Sequence, residues 1–313
     1  VVEQRKDSLR LWLTRVQLPR TVASVEGTVT WPGGALLLDV RARATELALA
    51  DVRFISPDLP DMTGRATAIA KWETRTRTAY DLRDLVLVDG PERIEGGLVA
   101  VVDSARGLGV RRLRLQLRQV NLDKVRPFLD TLPFDGRLTG PVQADGWLDD
   151  ITASGTLTFA DAAVEGTPES RFRFDGGIRT GATLTFRGFR IFESDIDMET
   201  VKRIAPAATL QGRLAASGTL EGPLDNATFD GTAVHQDGDR PESRMIGTAR
   251  LDTRTAVPEV EADVRLDPLA FEGIRRSFPS LPSEGGLAGR VTLRGPITRL
   301  AMSSTSTPLV PLK

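Results

Sequence analysis

The chain of 313 residues carries 41 Lys and Arg against 42 Asp and Glu, a net charge of −1, which removes the basic footprint of a nucleic-acid-binding domain. It has no cysteine and a single histidine, His235, so disulfides, thiolate metal sites, multi-histidine zinc centres and a cysteine nucleophile are excluded. With 40% hydrophobic and 27% charged residues it can bury a core, and its 29 Gly and 19 Pro punctuate it without making it low-complexity.

Taken from the N-terminus, the dominant pattern is alternation with period two, the mark of strands wet on one face. Leu113, Leu115 and Leu117 alternate with Arg112, Arg114, Gln116 and Arg118. Phe172 and Phe174 alternate with Arg171 and Arg173, Leu184 and Phe186 with Thr183 and Thr185, and Val260–Leu266 with Glu261, Asp263 and Arg265. Pro32-Gly33-Gly34, Asp89-Gly90-Pro91, Asp175-Gly176-Gly177 and Asp237-Gly238-Asp239 read as the turns between them. The longest apolar runs, such as Leu98–Val102, fall far short of the roughly 20 residues of a spanning helix. The fold class expected is all-β. Val1 opens the chain without a start methionine and it breaks off after Ser303–Pro308, so the sequence reads as a fragment, with 303–313 a truncated or flexible tail.

A glycine-centred stretch recurs along the chain. Its clear copies are Phe134–Gly140, Leu210–Ala216 and Glu284–Gly289, with a fainter one at Met62–Ala68, so the centres fall at Gly64, Gly136, Gly212 and Gly285. Ten residues on come Gly146-Trp147-Leu148, Gly222-Pro223-Leu224 and Gly295-Pro296-Ile297, and later Gly155-Thr156-Leu157, running to Phe159, and Gly231-Thr232-Ala233. The expectation is one continuous repeat domain over 1–313, with roughly five strands per repeat. Gly136, Leu138, Gly140 and Val142 share one side of a strand, as do Leu214, Gly218 and Leu220, and Gly289, Val291 and Leu293. Glycine recurring on the apolar side predicts a sheet that curls sharply. Short helices are expected before the three strong copies: Asp123 capping Lys124–Leu132, Asp197 capping Met198–Ala205, and Asp267-Pro268 opening a helix that carries Phe271, Ile274 and Phe278. Copy one has only Ser56–Pro60 there, too short for a helix.

The candidates for chemistry are few. His235 lies on a strand running into a turn, and without a Gly-x-Ser-x-Gly elbow it reads as a solvent-facing strand-end residue. Asp237-Gly238-Asp239 with Glu242 lacks the ligands and spacing of a calcium loop and reads as a hairpin turn. Asp149-Asp150 and Asp195/Asp197 read as turn and cap residues, and Gly107-Leu108-Gly109 lacks the third glycine of a dinucleotide fingerprint. The expectation is a protein that is not an enzyme, with no cofactor and no metal.

The aspartate-led segment, the approach to Gly-x-Leu-x-Gly, and the following Gly-[Trp/Pro]-[Leu/Ile] and Gly-Thr-Leu strand together resemble the AsmA/TamB superfamily, most clearly over 120–305. That resemblance, to a TamB-like translocation and assembly module, implies a taco-like, elongated antiparallel sheet of repeating units with an apolar concave face and a few short helices. It implies a periplasmic segment of a Gram-negative envelope protein that carries phospholipid acyl chains between the membranes. A missing N-terminal helix would anchor it in the inner membrane, and other missing parts would meet an outer-membrane BamA-like barrel. The residues lining such a groove would be Leu113, Leu115, Leu117, Leu138, Val142, Leu157, Phe159, Phe172 and Phe174, followed by Leu184, Phe186, Leu214, Leu220, Val264, Leu266, Val291 and Leu293. Two alternatives stand beside it: a scaffold or chaperone that assists outer-membrane protein assembly by strand pairing, and two walls packed on each other as an ordinary sandwich core.

Overall fold

The computed structural model describes residues 1–34, 36–74, 76–128, 135–162, 166, 169–202 and 209–309. The fold is all-β: among the described residues it has 18 antiparallel strands of curled, unclosed sheet. The chain divides into two compact units, Val1–Asp130 with Leu138–Ala153, and Thr131–Arg137 with Ser154–Lys313. The first unit is built on β1 (Val2–Arg5), β2 (Ser8–Gln17), β3 (Val22–Thr30), β4 (Leu37–Ala48), β5 (Thr63–Thr74), β6 (Arg77–Asp89), β7 (Glu92–Asp103), β8 (Gly107–Asn121) and most of β9 (Gly136–Trp147). The second holds most of β10 (Asp150–Asp161), then β11 (Ser170–Arg179), β12 (Thr185–Asp197), β13 (Arg213–Pro223), β14 (Asn226–Gln236), β15 (Ser243–Asp252), β16 (Glu259–Ala270), β17 (Gly286–Pro296) and β18 (Ala301–Leu309). From β1 to β8, and again from β11 to β18, every strand pairs with the next one in sequence.

A short helical element follows every fourth strand: Leu49–Val52 after β4, Leu122–Lys124 after β8, α1 (Met198–Val201) after β12, and α2 (Phe271–Ile274) after β16. The residues preceding them, Ala48, Asn121, Asp197 and Ala270, stand 73, 76 and 73 apart. The period is therefore four strands and a helix, one strand fewer than the glycine spacing suggested. Only α1 starts where expected, with the Asp197 carboxylate accepting the Glu199 N–H at 2.9 Å. Asn121, not Asp123, caps the helix after β8; of the expected helical spans, 129–132 and 203–205 lie outside the described residues. Asp267-Pro268 does not open a helix; it sits inside β16, and α2 begins at Phe271. In the first copy the helical turn at Leu49–Val52 precedes Ser56–Pro60 instead of replacing it. The Ser/Thr-rich stretch from Ser303 to Leu309 is part of β18, in register with β17.

Each turn into a helix leaves a backbone N–H without a ladder partner, and a side chain 27 residues earlier, or 29 in one copy, takes it up. Thr21 Oγ1 accepts the Ala48 N–H at 2.9 Å, Ser170 Oγ the Asp197 N–H at 3.1 Å, and Ser243 Oγ the Ala270 N–H at 3.0 Å. In the remaining copy Glu92 Oε2 accepts from Asn121 at 3.1 Å. All three hydroxyl residues are buried, Ser243 completely. A Ser243→Ala variant would orphan a buried donor, so it should lower stability by about 1–3 kcal/mol in chemical melts. An unchanged melt would show that the hydroxyl carries nothing there.

The hydrophobic core collects beside these helical ends. In the first unit Leu49, Met62, Ala66, Leu85 and Leu87 form a buried cluster, with Leu47, Leu59, Ile94 and Leu115 against it. Cross-strand register explains the meeting: Leu47, Gly64, Leu87, Ile94 and Leu117 succeed one another across β4 to β8. Gly64 must lie in that row without a side chain, because a Cβ there would stand 1.8 Å from the Val86 carbonyl oxygen.

Candidate functional site

Between β13 and β17 the register aligns the sequence into continuous rows on one face. Leu220, Phe229, Ala249, Ala262 and Leu293 form one row, extended to Phe189 on β12. Next to it run Gly218, Gly231, Gly247, Val264 and Val291, beginning from Ile191. A third row is Ala216, Ala233, Met245, Leu266 and Gly289. A fourth joins Leu214 to His235 and Ser243 near the helical end. None of these residues carries a carboxylate, ammonium or guanidinium group. The opposite face carries the charges, paired across strands: Arg290 with Asp263, Arg294 with Glu261, and Arg213 with Asp195 at 2.7 Å. Such exposed pairs contribute about 0–1 kcal/mol each, so they keep that face wet more than they hold it together.

Burial separates an open face from a sandwich core. Were a second sheet packed on this face, the inward residues of the central strands would be sealed. Instead Leu214, Leu220, Phe229, Ala233, Met245, Ala249, Leu251, Val264 and Leu293 are all half-exposed. Leu266 and Val291 are buried, as are His235 and Ser243 near α2. The face is apolar, and over β13 to β15 its first three rows are half-exposed rather than sealed.

The other groove residues named from sequence fall into two groups. Leu113, Leu115 and Leu117 on β8 and Leu138 and Val142 on β9 belong to the first unit, half-exposed except for buried Leu117. In the second unit Leu157, Phe159, Phe174 and Leu184 are buried, while Phe172 and Phe186 are half-buried. Phe172 lies 5.7 Å from Phe174, Phe174 stacks on Phe189 at 5.2 Å, and Phe186 tilts against Phe189 at 5.0 Å. These aromatic pairs are worth about 0.5–1.5 kcal/mol each beyond their burial.

Phe189 escapes a period-two reading because β12 bulges between Phe186 and Phe189. Gly188, at φ 54°, supplies the left-handed residue of that bulge, and its N–H donates to Glu221 Oε1 at 2.7 Å. An equivalent bulge at Arg112, φ 52°, donates its N–H to Asp145 Oδ2 at 3.1 Å. Asp145 and Glu221, which alternation alone marks as solvated, thus satisfy backbone donors that the curl removes from the ladder.

His235 corrects the sequence expectation. It is 1% exposed rather than solvent-facing, because it pairs in register with Leu214 on the apolar face. Its Nε2 lies 2.6 Å from the Gln211 carbonyl oxygen, while Nδ1 is buried without a partner. Asp237 is also buried, held by Arg240 at 2.6 Å and Arg276 at 2.8 Å. Asp237, Arg240 and Arg276 form a polar knot at the helical end.

Ionisation elsewhere is tuned by local contacts. The N–H of Ala105 and then the Arg77 guanidinium hold the Asp103 carboxyl below the usual aspartate range. Burial on the apolar face of the first unit pushes the Tyr80 hydroxyl up. Among the described residues no group of three or more His, Cys, Asp or Glu could hold a metal ion, and no helix is long and apolar enough to cross a membrane. Comparison of the chain with protein-family models, with curated proteins and with solved structures finds no match.

Proposed function

We propose that this chain is a non-enzymatic segment of a cell-envelope lipid conduit, in which the apolar face of the sheet shields phospholipid acyl chains. The observation that carries the reading is the set of charge-free rows across β13 to β17, half-exposed in the first three rows over β13 to β15, opposite a face laced with ion pairs. Apolar surface of that extent, left uncovered, marks a binding surface in soluble proteins. An acyl chain matches it chemically, since it asks for no hydrogen bond and pays no desolvation of charge. The repeat resemblance to the AsmA/TamB superfamily supports a periplasmic setting and transfer between inner and outer membranes.

The test is native mass spectrometry of protein purified from a Gram-negative periplasm in mild conditions. Phospholipid adducts that disappear on delipidation and return on incubation with phosphatidylethanolamine vesicles are the expected result. Protein that is free of lipid before and after incubation would overturn the proposal.

A further inference from the structure

The second row of the apolar face contains a feature that no other row shares. Gly218, Gly231 and Gly247 are direct cross-strand neighbours on β13, β14 and β15. Together they leave a strip without side chains, spanning roughly 10 Å between the outer strands. The backbone enforces it. A Cβ at Gly231 would lie 2.2 Å from the Ser217 carbonyl oxygen, and one at Gly247, where φ is +144°, would lie 2.3 Å from that of Asp263. Rows that carry side chains flank the strip, Leu220, Phe229 and Ala249 on one side and Ala216, Ala233 and Met245 on the other. It is a one-residue-wide trough running along the direction in which strands succeed one another.

One side chain fills it. Phe229 belongs to the neighbouring row, but its ring tip reaches over the glycines: Cζ would stand 2.9 Å from a Cβ at Gly218 and 2.9 Å from one at Gly231. Aromatic cover of bare strand glycines is a recognised stabilising device. Yet Phe229 is only half-buried, so it occupies the trough without being sealed there.

We propose that Phe229 is a displaceable plug that sets how readily a single acyl chain lies in the glycine trough. This rests on the lipid-conduit reading above. The occupant is a single linear chain, because the trough is one residue wide, is bounded by aliphatic rows and bears no charge. Ring and chain compete for the same glycine surface, so bound lipid must turn the ring out.

The experiment uses the full chain and phosphatidylcholine vesicles, in one arm with a fluorescent acyl chain and in the other with dibrominated chains. Phe229→Ala removes the competitor. It should raise lipid held at subsaturating vesicle concentration by roughly two- to tenfold, the range set by losing one aromatic contact. Phe229→Trp places an indole at the plug in a unit that has no tryptophan of its own, since Trp12, Trp31, Trp72 and Trp147 all precede Ser154. Its added emission should be quenched by brominated chains. Phe229→Leu, which keeps apolar cover with less reach, should fall between wild type and Phe229→Ala, and it serves if the alanine variant fails to fold. Wild-type lipid uptake in both the Ala and Leu variants, or an unquenched indole in protein that holds lipid, would overturn the plug alone. Wild-type protein that takes up no lipid would overturn the conduit reading and the plug with it.

Discussion

Aspartate in place of Leu220 should abolish lipid loading while leaving the chemical melt within about 1–2 kcal/mol of the unmodified protein. Leu220 sits between Phe189 and Phe229 in the first apolar row and is half-exposed. A carboxylate there can reach water across the uncovered face, so folding does not have to desolvate it fully. An acyl chain laid over the row would have to do so, and burying an unpaired charge under hydrocarbon costs many times a methylene contact. Fold and lipid binding therefore respond to the same substitution by very different amounts. Were the face sealed by a second layer, the order would reverse, and the variant would lose several kcal/mol and its cooperative transition. Leu266→Asp makes the comparison internal, since Leu266 is 5% exposed two rows away and should be destabilised in either case. Equal melts for the two aspartate variants would sink the open-face reading.

The second large effect is expected from a single methyl group. Gly64→Ala places Cβ 1.8 Å from Val86 O and 2.8 Å from the Val86 carbonyl carbon, and neither can swing aside as a side-chain tip would. The β5–β6 ladder must shift where Gly64 pairs with Leu87, in the middle of the buried cluster of Met62, Leu85 and Leu87. Overpacking of this kind costs about 3 kcal/mol. Gly181→Ala is the matched control. It has no atom within 4 Å of its added Cβ, so it should be neutral, or stabilising by about 0.4–1 kcal/mol through the unfolded chain. Urea melts of the pair decide the matter, and a Gly64→Ala loss no larger than the Gly181→Ala change would remove curl as the reason for the glycine.

The all-β class was legible because alternation is a property of short windows. Arg112–Arg118 and Glu259–Leu266 reveal their wet and dry faces without reference to any partner strand. The glycine period was legible too, since Gly64, Gly136 and Gly212 are each fixed by a neighbouring backbone. Strand count per repeat was not, because it depends on where turns close, and several turns carry no Gly-Pro signal. Helix starts were misplaced after β8, where Asn121 caps in place of Asp123, and after β16, where Ser243 serves Ala270 from 27 residues away and no local motif marks it. Bulges broke the parity rule at Phe189, and register alone revealed that His235 shares a row with Leu214. The glycine trough lay furthest from view. Gly218, Gly231 and Gly247 are unequally spaced along the chain and become neighbours only once three strands are aligned.

The succession of strands, each bonded to the one before it, also dictates how the chain can reach its folded state. In the second unit even a widely separated pair such as Thr185 and Pro223 is 38 residues apart. Loop closure is therefore cheap at every step, and low contact order favours rapid folding despite the all-β composition. A chain emerging end first, from a ribosome or through a membrane pore, can lay down each hairpin on the previous one without waiting for its C-terminus. The hydroxyl that ties off each turn lies upstream of the backbone donor it accepts, at Thr21, Ser170 and Ser243, so it is already in place when that donor arrives. Assembly in one direction is thus written into the order of the parts.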